Sequence, residues 1–200
     1  MANNGLGAPV VVVGGTINPS DELISGGGIN GTSPRIRVDV GEPSFFDGRQ
    51  FRTFKELNIA IGATYVVKAV IPSVNIILYG LETVIDAGQL RVTTLVGGTE
   101  GGTFSETLPI FNRNNMSERP TPLYTPTVVL TAGGTHTGGT ALDVLRVKAS
   151  NDTAKGVSVG AESGDESGVA AGTYYFRLQN LDLGNAVTGT FKARWEERLA

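Results

Sequence analysis

Cysteine is absent from these 200 residues, histidine and tryptophan occur once each, and methionine twice. Without cysteine there is no disulfide framework, no thiolate metal site and no mark of a redox compartment. A single imidazole, His136, deprives most acid–base schemes of their commonest player. No nucleophile elbow, HExxH motif or supported Ser/His/Asp cluster occurs, so the chain is not expected to be an enzyme or to take a small-molecule substrate. Charge of one sign is lacking too: 16 Lys and Arg against 19 Asp and Glu leave a formal net charge of −3. A nucleic-acid partner requires a clustered basic face, and none is expected here. No run approaches the roughly 18 consecutive apolar residues of a spanning helix. The start, MANNGLGAPVVVVGG, has no basic n-region, and its apolar run ends after four valines. No membrane partner is expected, and the chain is read as soluble or as part of a larger soluble assembly.

What remains is a composition of strands and turns. There are 28 Gly, with 40% hydrophobic and 18% charged residues. Abundant Gly, Thr, Val and Asn favour pleated, half-buried segments and the turns between them. A chain of this length can bury one core. The clearest periodicity lies at the end, between Gly172 and Ala200. Tyr174, Phe176 and Leu178 alternate with Tyr175, Arg177 and Gln179, and Val187, Gly189, Phe191, Ala193 and Trp195 alternate with Thr188, Thr190, Lys192, Arg194 and Glu196. This predicts an antiparallel hairpin with one buried face, and Trp195 in the core.

Upstream, strands are expected over 51–61, 63–71, 74–79, 82–87, 89–96, 107–112, 126–132 and 141–149. Phe51–Leu57 has a single helical turn as its alternative. In RVTTLV (91–96), one face should be wetter than the other. Several short strands with turn signals and no fixed-period repeat predict an all-β fold, a β-sandwich or jelly-roll-like antiparallel domain spanning 51–200. Residues 1–50 differ, being rich in Gly, Asn, Pro and Ser. Two strand-like patches sit inside that stretch: Val10, Val11, Val12 and Val13, and the alternating Ile36, Val38 and Val40. Such a segment reads either as a loose terminus or as an extended N-terminal arm that pairs with a neighbour's sheet edge.

The remaining motifs are weak as chemistry. GGTEGG and GGTHTGG lack the Lys-Ser/Thr ending of a phosphate-binding loop and do not run from strand into helix. Their glycines suit wide turns, which places His136 at a solvent-exposed hairpin tip. One imidazole with no Cys and no evident carboxylate neighbour does not build a zinc site. The acidic loop GAESGDESG (160–168) does not match calcium-loop spacing. No cofactor or metal is expected. NRNNMSERPTP (112–122) is richer, because the forks of Arg113 and Arg119 suit carboxylates on a neighbouring subunit; a solvated connection is the alternative.

Three runs carry a resemblance. FRTFKELNIAIGA (51–63), GGTEGGTFSETLPIFNRNNMSERP (97–120) and AGTYYFRLQN with GTFKARWEER (within 171–198) resemble small β-rich virion proteins of tailed bacteriophages. The resemblance implies a capsid decoration, or cement, protein assembled in the host cytoplasm and carried on the virion. Its partners would be the major capsid protein or other virion proteins, with symmetric homo-oligomers expected. The contact residues would be Val10–Val13, Ile36, Val38 and Val40 in the arm, with Arg113 and Arg119 beside them. Two alternatives stay open. One is a tail or head-fibre component that anchors to the particle or contacts a receptor. The other is a carbohydrate-binding jelly-roll module that stacks sugars on Tyr65, Tyr79, Tyr124 or Tyr175.

Overall fold

A computed structural model describes residues 43–73, 75–114, 124–149, 155–159 and 167–198. They fall within one compact unit, Gly41–Ala200. A short helix, α1 (Pro43–Phe46), leads into fourteen strands: β1 (Gln50–Ile59), β2 (Thr64–Ile71), β3 (Ile76–Ala87), β4 (Gln89–Val96), β5 (Thr99–Gly101), β6 (Glu106–Thr107), β7 (Ile110–Asn112), β8 (Val129–Ala132), β9 (Thr135–Thr137), β10 (Thr140–Lys148), β11 (Lys155–Val159), β12 (Ser167–Val169), β13 (Gly172–Asn180) and β14 (Val187–Glu197). The described residues are thus almost entirely β, and all the pairings are antiparallel.

Period-2 alternation explains why these segments form strands. Along β1, Phe51, Thr53, Leu57 and Ile59 are buried while Arg52, Phe54, Glu56 and Asn58 are exposed. The first sheet has the order β11-β3-β14-β1-β7, with β12 also on β3, and the second has the order β10-β4-β13-β2-β8-β6. The inner faces of the two share one apolar core. Phe176 of β13 meets Phe191 of β14 across it, with ring centroids 5.6 Å apart. The architecture is an antiparallel β-sandwich, as the sequence predicts.

Trp195 is in that core, 2% exposed and 5.9 Å from the ring of Phe51. The hairpin expected from its strand does not form. β13 lies between β4 and β2, whereas β14 lies between β3 and β1 in the other sheet. Residues 181–186 cross from sheet to sheet, and Asn180 fixes the corner. Its amide donates to the carbonyls of Ile59, Ala60 and Asn185 at 3.0, 3.0 and 2.9 Å, and its Oδ1 accepts from Asp182 N–H at 2.7 Å. Alternation reports which face of a strand is buried, and both arrangements bury the same face.

Other local expectations shift for similar reasons. Phe51–Leu57 is strand, and the helical turn lies earlier at Pro43–Phe46. The segments 74–79 and 82–87 merge into the single strand β3, which runs through Gly80. The stretch 151–171, which lies outside the strands expected from sequence and holds the acidic loop, contains β11 and β12. The two glycine-rich loops each hold a three-residue strand, and these pair as a separate β5–β9 ribbon. On β4, Leu90 and Val92 face the main core while Leu95 joins Val66 and Tyr175 in a second, smaller cluster. Neither face of that strand is simply the wet one.

Candidate interaction surfaces

One end of the sandwich is closed by two adjacent buried carboxylates. Glu197 is fully buried and accepts Thr127 N–H at 3.0 Å, Thr127 Oγ1–H at 2.8 Å, Val128 N–H at 3.1 Å and Trp195 Nε1–H at 3.4 Å. Glu196, on the opposite face of β14, accepts Ser44 Oγ–H at 2.6 Å and the Tyr79 hydroxyl, and meets Arg198 Nε at 2.9 Å. Gln50 stands opposite Glu196 in the ladder and donates to Ser44 Oγ at 3.0 Å. Arg113 closes the chain of contacts by donating to Gln50 Oε1 at 2.7 Å. The structure therefore engages part of the Arg113 fork inside the molecule. Donors from several elements converge on both carboxylates, which makes them anchors for this end of the fold.

The β5–β9 ribbon covers the outer face of the second sheet. His136 is not at a solvent-exposed tip: it is 4% exposed and lies flat on Tyr175, with centroids 3.9 Å apart and planes 18° apart. Its Nε2 sits 2.8 Å from the Gly97 carbonyl oxygen, while Nδ1 is buried without a hydrogen-bond partner among the described residues. The flanking glycines are what admit the ring. Gly98 has φ +97°, and a Cβ there would stand 2.6 Å from His136 Nε2. Pairing of the two ribbon strands was the missing signal, since three-residue strands show no usable periodicity.

Two Lys–Glu–Tyr clusters tie peripheral pieces to the second sheet. In the first, Lys68 pairs with Glu100 at 2.7 Å, and the Tyr175 hydroxyl donates to the same carboxylate. The Lys68 hydrogen bond, then that of Tyr175, holds the Glu100 carboxyl below its ordinary range. Burial, followed by the hydrogen bond to Glu100, pushes the Tyr175 phenol up to about 12. In the second, Lys55 and the Tyr65 hydroxyl both engage Glu106, with Tyr65 at 2.7 Å. The Lys55 hydrogen bond is the larger cause lowering Glu106, and burial is the larger cause raising Tyr65. A general acid or base works best with a pKa near the operating pH. These groups are displaced away from neutrality, which suits clamps.

Large apolar side chains are exposed on the outer faces and near the sheet margins. Phe54 and Phe111 are 45% and 41% exposed and stack with centroids 5.6 Å and planes 9° apart. Val129 on β8, and Leu142 and Val144 on β10, are also exposed. Leu142 sits at a β-bulge and borders a wholly apolar crevice of about 80 Å³, whose floor includes Ala69, Phe176, Ala193 and Trp195. The Tyr65 and Tyr175 hydroxyls point into the clamps, and Tyr79 meets Glu196. None of the three is laid open as a sugar-stacking platform.

Val10–Val13, Ile36, Val38, Val40 and Arg119 lie outside the described residues, as does most of the acidic loop around Glu162 and Glu166. Among the described residues, no group of three or more His, Asp or Glu side chains is placed to hold a metal ion. Compared with protein-family models, curated proteins and solved structures, the chain matches none of them.

Proposed function

We propose that this chain is a structural protein of a tailed-bacteriophage virion, a decoration or cement protein that binds the outer shell and stabilises it. The observation that carries this reading is how the side chains divide. Polar groups able to do chemistry, such as Glu196, Glu197, Glu100 and Glu106, are committed to internal contacts, while Phe54, Phe111, Val129, Leu142 and Val144 stay exposed near sheet margins. A surface of that kind is made to be covered by another surface. The resemblance of residues 51–63, 97–120 and 171–198 to phage virion proteins supplies the context.

A cement protein needs no pocket. Binding the assembled shell but not its dissociated subunits stabilises the shell by mass action. Weak contacts repeated over many copies add through multivalency. Arm and sheet-edge contacts would supply the area, with the major capsid protein as partner. Quantitative mass spectrometry of purified particles tests this through the copy number of the chain relative to the major coat protein. Near-stoichiometric abundance is expected. A few copies per particle would move the protein to a tail or vertex, and its absence from particles would sink the proposal.

A further inference from the structure

The outer face of the first sheet carries an arrangement that costs stability and has no internal use. Four strands in the order β7-β1-β14-β3 place Phe111, Arg52, Arg194 and Gly80 side by side as register partners. Arg52 and Arg194 are therefore directly opposed. Like charges at such a pair are destabilising. Neither guanidinium makes an ion pair or hydrogen bond with another described residue. The nearby acids are engaged elsewhere: Glu196 with Ser44, Tyr79 and Arg198, and Glu82 with Lys192 at 3.6 Å. In the adjacent row, Phe54 opposes Lys192 and stacks on Phe111. Two unpaired forks thus stand beside an exposed aromatic pair, and Gly80 adds no side chain to fill the row.

We propose that this face docks an acidic, extended segment of a neighbouring protein. Carboxylates of that segment seat on Arg52 and Arg194, and an apolar side chain covers Phe54 and Phe111. Charge complementarity identifies the occupant. Planar guanidinium forks pair bidentately with carboxylates, and bringing an anion between two arginines relieves their mutual repulsion. A polyanion fits less well. Glu56 and Glu82 share this face of the sheet, so a strand bearing a charge at every nucleotide would run onto them. The inference rests on the virion reading only for where the partner is found.

The test uses the full chain, isotopically labelled and followed by amide NMR. It is titrated separately with the octapeptide Ser-Glu-Ser-Val-Ser-Glu-Ser-Val, which puts Glu and Val on one face of the extended chain, the same peptide with Gln for Glu, an acidic hexuronate octasaccharide and an oligo-deoxythymidylate octamer. The Glu peptide should shift amides at residues 52–54, 111 and 192–194, and the Gln peptide should bind at least about tenfold more weakly, the worth of one lost charge-assisted hydrogen bond. The Arg52→Gln/Arg194→Gln double variant should lose the Glu peptide to a similar extent. Arg194→Gln alone should raise the melting temperature while weakening the peptide, because it relieves the repulsion and removes a seat together. Equal binding of the Gln peptide, tighter binding of the saccharide or oligonucleotide, or unchanged binding by the double variant would overturn the proposal. No particle enters this experiment, so its result stands apart from the copy-number measurement.

Discussion

Glu197 shows how far a single side chain can be removed from its usual role. A carboxylate with no exposed surface persists because two backbone N–H groups, a hydroxyl and an indole N–H converge on it. Hydrogen bonds of this charge-assisted kind offset the desolvation that burial imposes. Removing the acceptor leaves the donors of Thr127, Val128 and Trp195 buried and unmet. Glu197→Ala is expected to cost about 3–5 kcal/mol in urea unfolding, because several donors lose their acceptor together and each one left unmet costs about 1–3 kcal/mol. A loss below about 1 kcal/mol would mean that water replaces the carboxylate and that the end of the sandwich is wet. Residue identity was legible here only in part. Alternation placed Trp195 inside and Glu196 on the opposite face, and both hold. It gave no sign that Ser44, Gln50 and Tyr79 would cover that opposite face. Nor did it show that two three-residue strands would pair into a ribbon and lay the ring of its own lone histidine on Tyr175. Burial by a distant segment leaves no local period in the sequence.

Among the strands, β14 is the spine of its sheet, paired along its length with β1 on one side and β3 on the other. Its register on β3 shifts between Thr188 and Gly189. At that shift Gly189 has φ +155°, and a Cβ there would lie 2.1 Å from the Val84 carbonyl oxygen and 2.7 Å from Ile85 Cα. The obstacle is backbone, so no rotamer change relieves it. Gly189→Ala should therefore lower the melting temperature more than Ala substitution at exposed Glu56 on neighbouring β1, read by differential scanning calorimetry. Equal shifts for the two variants would show that the strands part without cost. The sequence marks Gly189 only as an inward position of an alternating run, and the close approach becomes visible only once β3 is known to be the neighbour. The same limit produced the hairpin expectation for β13 and β14. Edge control, by contrast, has a sequence trace in hindsight. Lys55 occupies an inward position in β1, beyond the reach of β7. An inward charge on an edge strand blocks further strand addition, and here it is tied to Glu106.

At the scale of the whole molecule, the two Lys–Glu–Tyr clusters couple the fold to pH. Lys68–Glu100–Tyr175 fastens the ribbon to the second sheet, and Lys55–Glu106–Tyr65 links β1 of the first sheet to β2 and β6 of the second. Glu100 and Glu106 have carboxyls lowered in the folded state, chiefly by their lysines. A lowered carboxyl contributes stability that is present above its unfolded pKa, near 4.3, and lost as pH falls through the folded value. Tyr65 and Tyr175 have phenols raised, chiefly by burial, Tyr175 to about 12. A raised phenol contributes stability that is complete below its unfolded pKa, near 10, and lost as pH climbs towards the folded value. The melting temperature should hold a plateau between about pH 5 and pH 9.5 and fall on both sides. Because Glu100 is largely exposed, its share of the acid limb should shrink at high salt, where exposed charges are screened. The two limbs separate by substitution. Glu106→Gln should make the acid limb shallower while lowering the plateau, leaving the share of Glu100, and Tyr175→Phe should make the alkaline limb shallower, leaving the share of Tyr65. If both variants kept the parent's limbs unchanged, the clamps would be ornaments on a sandwich held by its core alone. A selective change in each limb would instead make the same clusters that fasten the ribbon and the margin responsible for the pH range over which the whole surface stays intact for a partner.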